Sequence, residues 1–140
     1  MKNIYEVFDE FEMASTEKER MSVIEKNLSQ TLVNVLLLTF HPDYEWKFKQ
    51  FPEHYKIPDT KPGISICQLG TELRKMYLFR KNDPTSEKLS DQKRTELLLQ
   101  FLESLEMREA EVVIGIFKKD QGVKGLTYDF VKKAFPQLLP

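Results

Sequence analysis

The eleven residues from Gln30 to Phe40, QTLVNVLLLTF, constrain the fold more than any other stretch. Leu32, Val33, Leu36, Leu37 and Phe40 recur at helical spacing, and Val35 and Leu38 add apolar positions beside them, so the helix is apolar nearly all round. Such a helix is stable only when neighbours cover it on several sides. The expectation is therefore a central helix in an all-α assembly.

The flanking sequence supplies those neighbours. Ile4, Val7, Phe8 and Phe11 follow the i, i+3, i+4, i+7 rule, which predicts an opening amphipathic helix ending near Ala14 with an acidic outer side. Thr16-Glu17-Lys18-Glu19 fits a capping box and starts a second helix to about Asn27 that buries Met21, Ile24 and Leu28. His41-Pro42 stops the central helix. In DYEWKFKQFPEH, Tyr44, Trp46, Phe48 and Phe51 read as core residues of a poorly periodic element. The competing reading is an aromatic surface, interleaved with Lys47 and Lys49, that stacks on nucleic acid.

Two prolines and a glycine from Tyr55 to Gly63 predict a loop suited to insertion. Ser65 caps a fourth main helix carrying Leu69, Leu73, Met76 and Tyr77 on one side, which Lys81-Asn82-Asp83-Pro84 terminates. Ser90 caps a fifth with the stripe Leu97, Leu98, Phe101, Leu102 and Leu105. Another begins around Arg108, with Val112, Val113, Ile116 and Phe117 at helical spacing and Gly122 as its left-handed end. Thr127 then caps a short helix with Asp129 in its first turn, Leu126 and Val131 as a hydrophobic staple, and Pro136 beyond its end. The sum is a compact orthogonal bundle of about six to eight helices without a sheet, in one domain over residues 1–140.

Function is bounded first by what does not fit. The single Cys67 reads as a small buried hydrophobe, and no disulfide forms within the chain, which suits a cytoplasmic protein. No basic-then-apolar leader is seen, and the longest apolar run, Val35 to Leu38, is far short of the roughly 20 residues that span a bilayer, so neither export nor a membrane partner is expected. His41 and His54 have no companions at metal-ligand spacing, so no metal site is expected. Neither GxxxxGK[ST] nor GxGxxG occurs, no nucleophile has an evident base, and pairs such as Glu103/Glu106 read as solvated helix surface. The chain is expected to be no enzyme and to need no cofactor.

Charge is near balance, at 21 Lys and Arg against 22 Asp and Glu, but unevenly placed. Residues 61–83 and 112–140 each carry five bases against two acids, whereas 1–14 and 84–111 are acidic. Gly122-Val123-Lys124-Gly125, between two helices, combines closely approachable backbone with a cation beside N–H groups that open a helix, a phosphate-seeking arrangement. If instead Val123 and Phe130 are packed and Lys124 points away from the other bases, the turn only connects two helices.

The order of these signals resembles the N-terminal helical DNA-binding domain of ATP-dependent DNA ligases of T4-type bacteriophages. TEKERMSVIEKN, Thr16 to Asn27, is similar to that family's second helix with its LEKN-like ending. Leu32 to Pro52 is similar to its LxxVxxLTY segment followed by aromatics, lysines and a proline. Lys132-Lys133-Ala134-Phe135-Pro136-Gln137-Leu138-Leu139 matches a closing helix of the NKVFPGLI kind. The resemblance covers most of the chain in order, least between Glu53 and Ser90.

It implies a domain that grips duplex DNA across the minor groove without sequence preference, mostly through phosphates. Gly122, Lys124, Gly125 and Thr127 would inherit the contact role by position, with Lys118, Lys119, Lys132 and Lys133 as supporting charges. The chain departs from the family in having Gln121 and Val123-Lys124-Gly125 around the turn glycine. It also has nothing like the KxDG adenylation motif and stops where the catalytic core would begin, so it is not expected to ligate by itself. The expectation is a stand-alone DNA-binding module accessory to phage replication, repair or ligation, acting in the cytoplasm of the infected bacterium. The alternative is an interaction module of the same fold that docks on a sliding clamp, a polymerase or a host protein, motivated by the acidic segments.

Overall fold

The computed structural model describes residues 2–47 and 69–140. Among these residues the chain forms eight helices and no sheet. Helices α1 (Ile4–Met13), α2 (Glu17–Lys26) and α3 (Gln30–Phe40) open it. Next comes α4 (Leu69–Glu72), which tightens into a 3₁₀ segment at Leu73–Phe79. The chain closes with α5 (Pro84–Lys88), α6 (Asp91–Glu103), α7 (Met107–Lys118) and α8 (Tyr128–Ala134). Phe48, Phe51, His54, Ser65 and Cys67 lie outside the described residues, as does the proline-rich stretch from Tyr55 to Gly63.

Local chemistry accounts for most of the boundaries. The Thr16, Ser29, Ser90 and Thr127 hydroxyls each accept the N–H three residues on, from Glu19, Leu32, Lys93 and Phe130. Each satisfies one of the otherwise orphaned first-turn donors. Asp83 caps α5 with Pro84 at its first position, so the proline that was expected to end one helix also begins the next.

Helix α3 is central as expected, packing against α4, α7 and α8, with Leu32, Val35, Leu36 and Thr39 buried. Around it α1 contributes Ile4, Val7, Phe8 and Phe11, and α7 contributes Val112, Val113, Ile116 and Phe117, all within one hydrophobic cluster. Phe11 meets Phe130 of α8 edge to face at 5.0 Å.

Two packing expectations need correction. Leu28 falls after α2 has ended and is 57% exposed, while Val23 is the buried partner of Ile24. Tyr77 is 48% exposed because its segment is 3₁₀ rather than α. Three residues per turn align Leu73, Met76 and Phe79 on the inner side and turn Tyr77 outward.

The aromatic segment resolves toward the core where it is described. Trp46 is buried, stacked on Tyr44 at 6.1 Å and edge-on to Phe117 at 5.4 Å. An isolated antiparallel bridge joins Trp46 to Arg80. Its flanks are pinned by Lys47 N donating to Phe79 O and Lys81 N donating to Glu45 O, each at 2.8 Å. Among the described residues no helix is long and apolar enough to cross a membrane.

Candidate functional site

The connection between α7 and α8 is built differently from the sequence expectation, and the difference decides which side chains remain available. Helix α7 ends at Lys118, and the left-handed residue after it is Lys119, with φ 61° and ψ 27°, not Gly122. The N–H of Asp120 reaches Gly115 O and that of Lys119 reaches Ile116 O, each at 3.1 Å, which is the paired bonding of a Schellman ending. A lysine holds this position because its ammonium is used there. Nζ donates to His41 O at 2.7 Å and Tyr44 O at 3.0 Å, tying the end of α7 to the end of α3. Burial pushes the Lys119 ammonium below the ordinary lysine range, against the opposing pull of Glu45.

Gly122 is also left-handed, φ 68°, and its N–H is taken by Asp120 Oδ1 at 2.8 Å. The N–H of Lys124 is taken by Glu12 Oε1 at 3.3 Å. Carboxylates therefore already occupy two amides of the supposed phosphate cradle. Gln121 anchors the turn inward, its Nε2 donating to Thr39 Oγ1 and Val112 O, both at 3.0 Å, while its amide lies against Gly115. Val123 is partly buried against the core and Phe130 is buried, so the packing half of the simple-connector condition is met.

The eight residues singled out from the sequence thus divide. Lys119 faces carbonyls of the protein rather than an outside ligand, a correction to its role as a supporting surface charge. The Thr127 hydroxyl oxygen accepts the Phe130 N–H at 3.2 Å, which is a capping role. Lys133 lies 3.2 Å from Glu17, with both side chains exposed, so this pair is weak and exchangeable. Lys118, Lys124 and Lys132 are exposed, and among the described residues their ammonium groups have no hydrogen-bond or ion-pair partner. Lys118 and Gly122 line one open concavity of about 640 Å³ together with Glu111, Ile114 and Asp120. On its other side Gly122 borders a smaller cleft of about 150 Å³ with Asp9, Glu12, Arg108 and Glu111. There Arg108 holds Asp9 in a two-pronged pair, both contacts 2.7 Å, which lowers the Asp9 pKa.

Gly125, φ 85°, brings in a residue that the sequence reading did not single out. A Cβ at this position would lie 2.8 Å from Cζ of Arg20, so the absence of a side chain is what lets the guanidinium rest on the backbone. Arg20 stands on the inner face of α2, three and four residues before the buried Val23 and Ile24, at a position where an arginine is not expected to be covered. Among the described residues no group of three or more His, Cys, Asp or Glu side chains is arranged to hold a metal ion.

With this geometry in place, residues 7–124 match DUF6433, a family of unknown function. The chain belongs to the DUF6433 family. The match begins within α1 and ends at Lys124, taking in Arg20, the Lys119 ending of α7 and Gly122. A comparison with curated proteins found no match.

Proposed function

We propose that this protein is a non-catalytic module that binds the backbone of duplex DNA through the α7–α8 connection, accessory to phage DNA replication, repair or ligation in the infected bacterial cytoplasm. The supporting observation is that Lys118 at the end of α7, Lys124 in the connection and Lys132 in α8 are exposed cations without protein partners among the described residues. Unpaired surface lysines carry little cost of release and displace counterions from phosphates without reading base sequence. The amide cradle expected from the glycine turn is not part of this reading, because Asp120 and Glu12 take two of its donors.

The test is duplex binding at a series of salt concentrations by wild type and by a Lys118→Ala, Lys124→Ala, Lys132→Ala triple variant. Each phosphate-bound lysine adds close to one unit to the slope of log affinity against log salt, so the triple variant is expected to lower the slope by about three. Equal affinity and slope would refute the assignment.

The interleaving of Glu12, Glu17 and Asp120 with these lysines, beside a Met13 that is 87% exposed, favours a second reading, a mixed-charge docking surface for a clamp, a polymerase or a host protein. Association that survives nuclease treatment, together with no duplex binding, would select that reading.

A further inference from the structure

We propose that Arg20, rather than an amide of the glycine turn, is the side chain that grips a duplex phosphate at this surface. The inference rests on the DNA-binding reading above and names a residue of the site that lies outside the C-terminal segment.

The argument starts from what each arginine does. Arg94 is buried and donates to Asp91, Ser86 O and Leu89 O. Arg108 is paired with Asp9, and Arg80 donates to Asp43 O while lying over the Tyr44 ring at 4.3 Å. Arg74 is exposed, where water satisfies it. Arg20 is half-buried, and among the described residues its guanidinium has no hydrogen bond and no ion pair. Its Nε is sealed from solvent without an acceptor.

Packing alone holds this cation in place. One side rests against the Gly125 backbone, and the other lies 6.0 Å from the centre of the Phe11 ring. The glycine is doubly required, by its positive φ and by the room that the guanidinium occupies. With Nε sealed, the Nη end of this planar, permanently charged group, fixed in position, is the part that meets a two-oxygen anion. The neighbouring cations favour phosphate: Lys124 precedes Gly125, and Lys133 is paired with Glu17, one helical turn ahead of Arg20 on α2.

The experiment compares duplex affinity against salt for wild type, Arg20→Gln, Arg20→Lys and the three-lysine variant. R20Q is expected to weaken binding on the order of tenfold and to lower the salt slope by about one unit, a readout that loss of packing would not move. R20K is expected to keep the wild-type slope yet bind several-fold more weakly, because it retains the charge without the fork. Should R20Q fail to fold, the R20K comparison decides alone, and wild-type affinity in R20K overturns the proposal. Wild-type affinity and slope in R20Q, with binding lost in the three-lysine variant, overturns the Arg20 assignment and leaves the DNA-binding reading standing. Absence of duplex binding by wild type overturns both.

Discussion

Replacing Lys119 tests the architecture of the α7–α8 connection most directly. In Lys119→Met the stem survives and the ammonium is lost, so His41 O and Tyr44 O lose donors at 2.7 and 3.0 Å. Hydrogen bonds from a charged donor contribute about 1.5–3 kcal/mol, and the residual solvent access at this half-buried site places the combined loss near 2–3 kcal/mol. For a chain of this size that corresponds to a fall in Tm of roughly 6–10 °C. Lys119→Gly loses the same bonds but relieves a left-handed conformation that costs a non-glycine residue about 1 kcal/mol, so its net loss is near 1–2 kcal/mol. The expected order of stability is wild type, then K119G, then K119M. Trp46 is the single tryptophan and is packed against Tyr44 and Phe117 beside the affected carbonyls, so urea unfolding followed by its fluorescence reports on the site. A K119G variant more stable than wild type, or a K119M variant within about 0.5 kcal/mol of it, would refute the claim that the ammonium holds α7 to α3. The salt slope of duplex binding should be unchanged in both variants, since this cation does not face a ligand.

Three further outcomes are expected. The Lys2 and Lys26 ammonium groups hold the Glu10 pKa down from 4.5 to about 2, so its stabilisation is complete above pH 4.5 and is lost as pH falls toward 2. Tm measured across that window should therefore fall less steeply in Glu10→Gln than in wild type, and parallel curves would contradict the pairing. Gly115→Ala gains helix propensity of up to about 1 kcal/mol but puts a methyl where the Gln121 amide is fixed by Thr39 and Val112, so a net loss of about 1–2 kcal/mol in chemical denaturation is expected. A stabilised G115A would show that the Gln121 anchor is easily moved. Glu12→Gln removes a carboxylate that sits on the Lys124 amide, and duplex affinity at low salt should rise roughly two- to fivefold, with the gain vanishing at high salt. No gain at low salt would place the duplex elsewhere.

The helices with a local signal were legible in the sequence, because a cap and a periodic stripe lie within one or two turns of each other. Thr16, Ser90 and Thr127 marked helix starts, and the apolar sets of α1 and α7 are buried as their spacing requires. What was not legible depends on distant partners. Lys119 occupies a glycine-like position because of carbonyls 78 and 75 residues away, whereas local sequence alone points to Gly122 as the helix ending. Spacing from Val23 and Ile24 turns Arg20 inward, but that it meets Gly125 depends on how α2 packs against the turn, which the local sequence does not carry. The spacing of Tyr77 points it inward in an α-helix and outward in a 3₁₀ segment, and apolar spacing alone does not separate the two.

The backbone bridge at Trp46 and Arg80 has an evolutionary consequence. By fastening residues 45–47 to 79–81 it closes a chain loop whose two ends are fixed by the core, whatever the loop contains. The entropy of closing a loop rises only logarithmically with its length, about 0.6 kcal/mol for each doubling. The entropy of closure therefore sets little limit on how many residues relatives carry ahead of α4, whereas α4 and the 3₁₀ segment are held by their buried side chains. Length variation among family members should spare Leu69–Phe79, and a foreign peptide inserted within those residues should lower the unfolding midpoint.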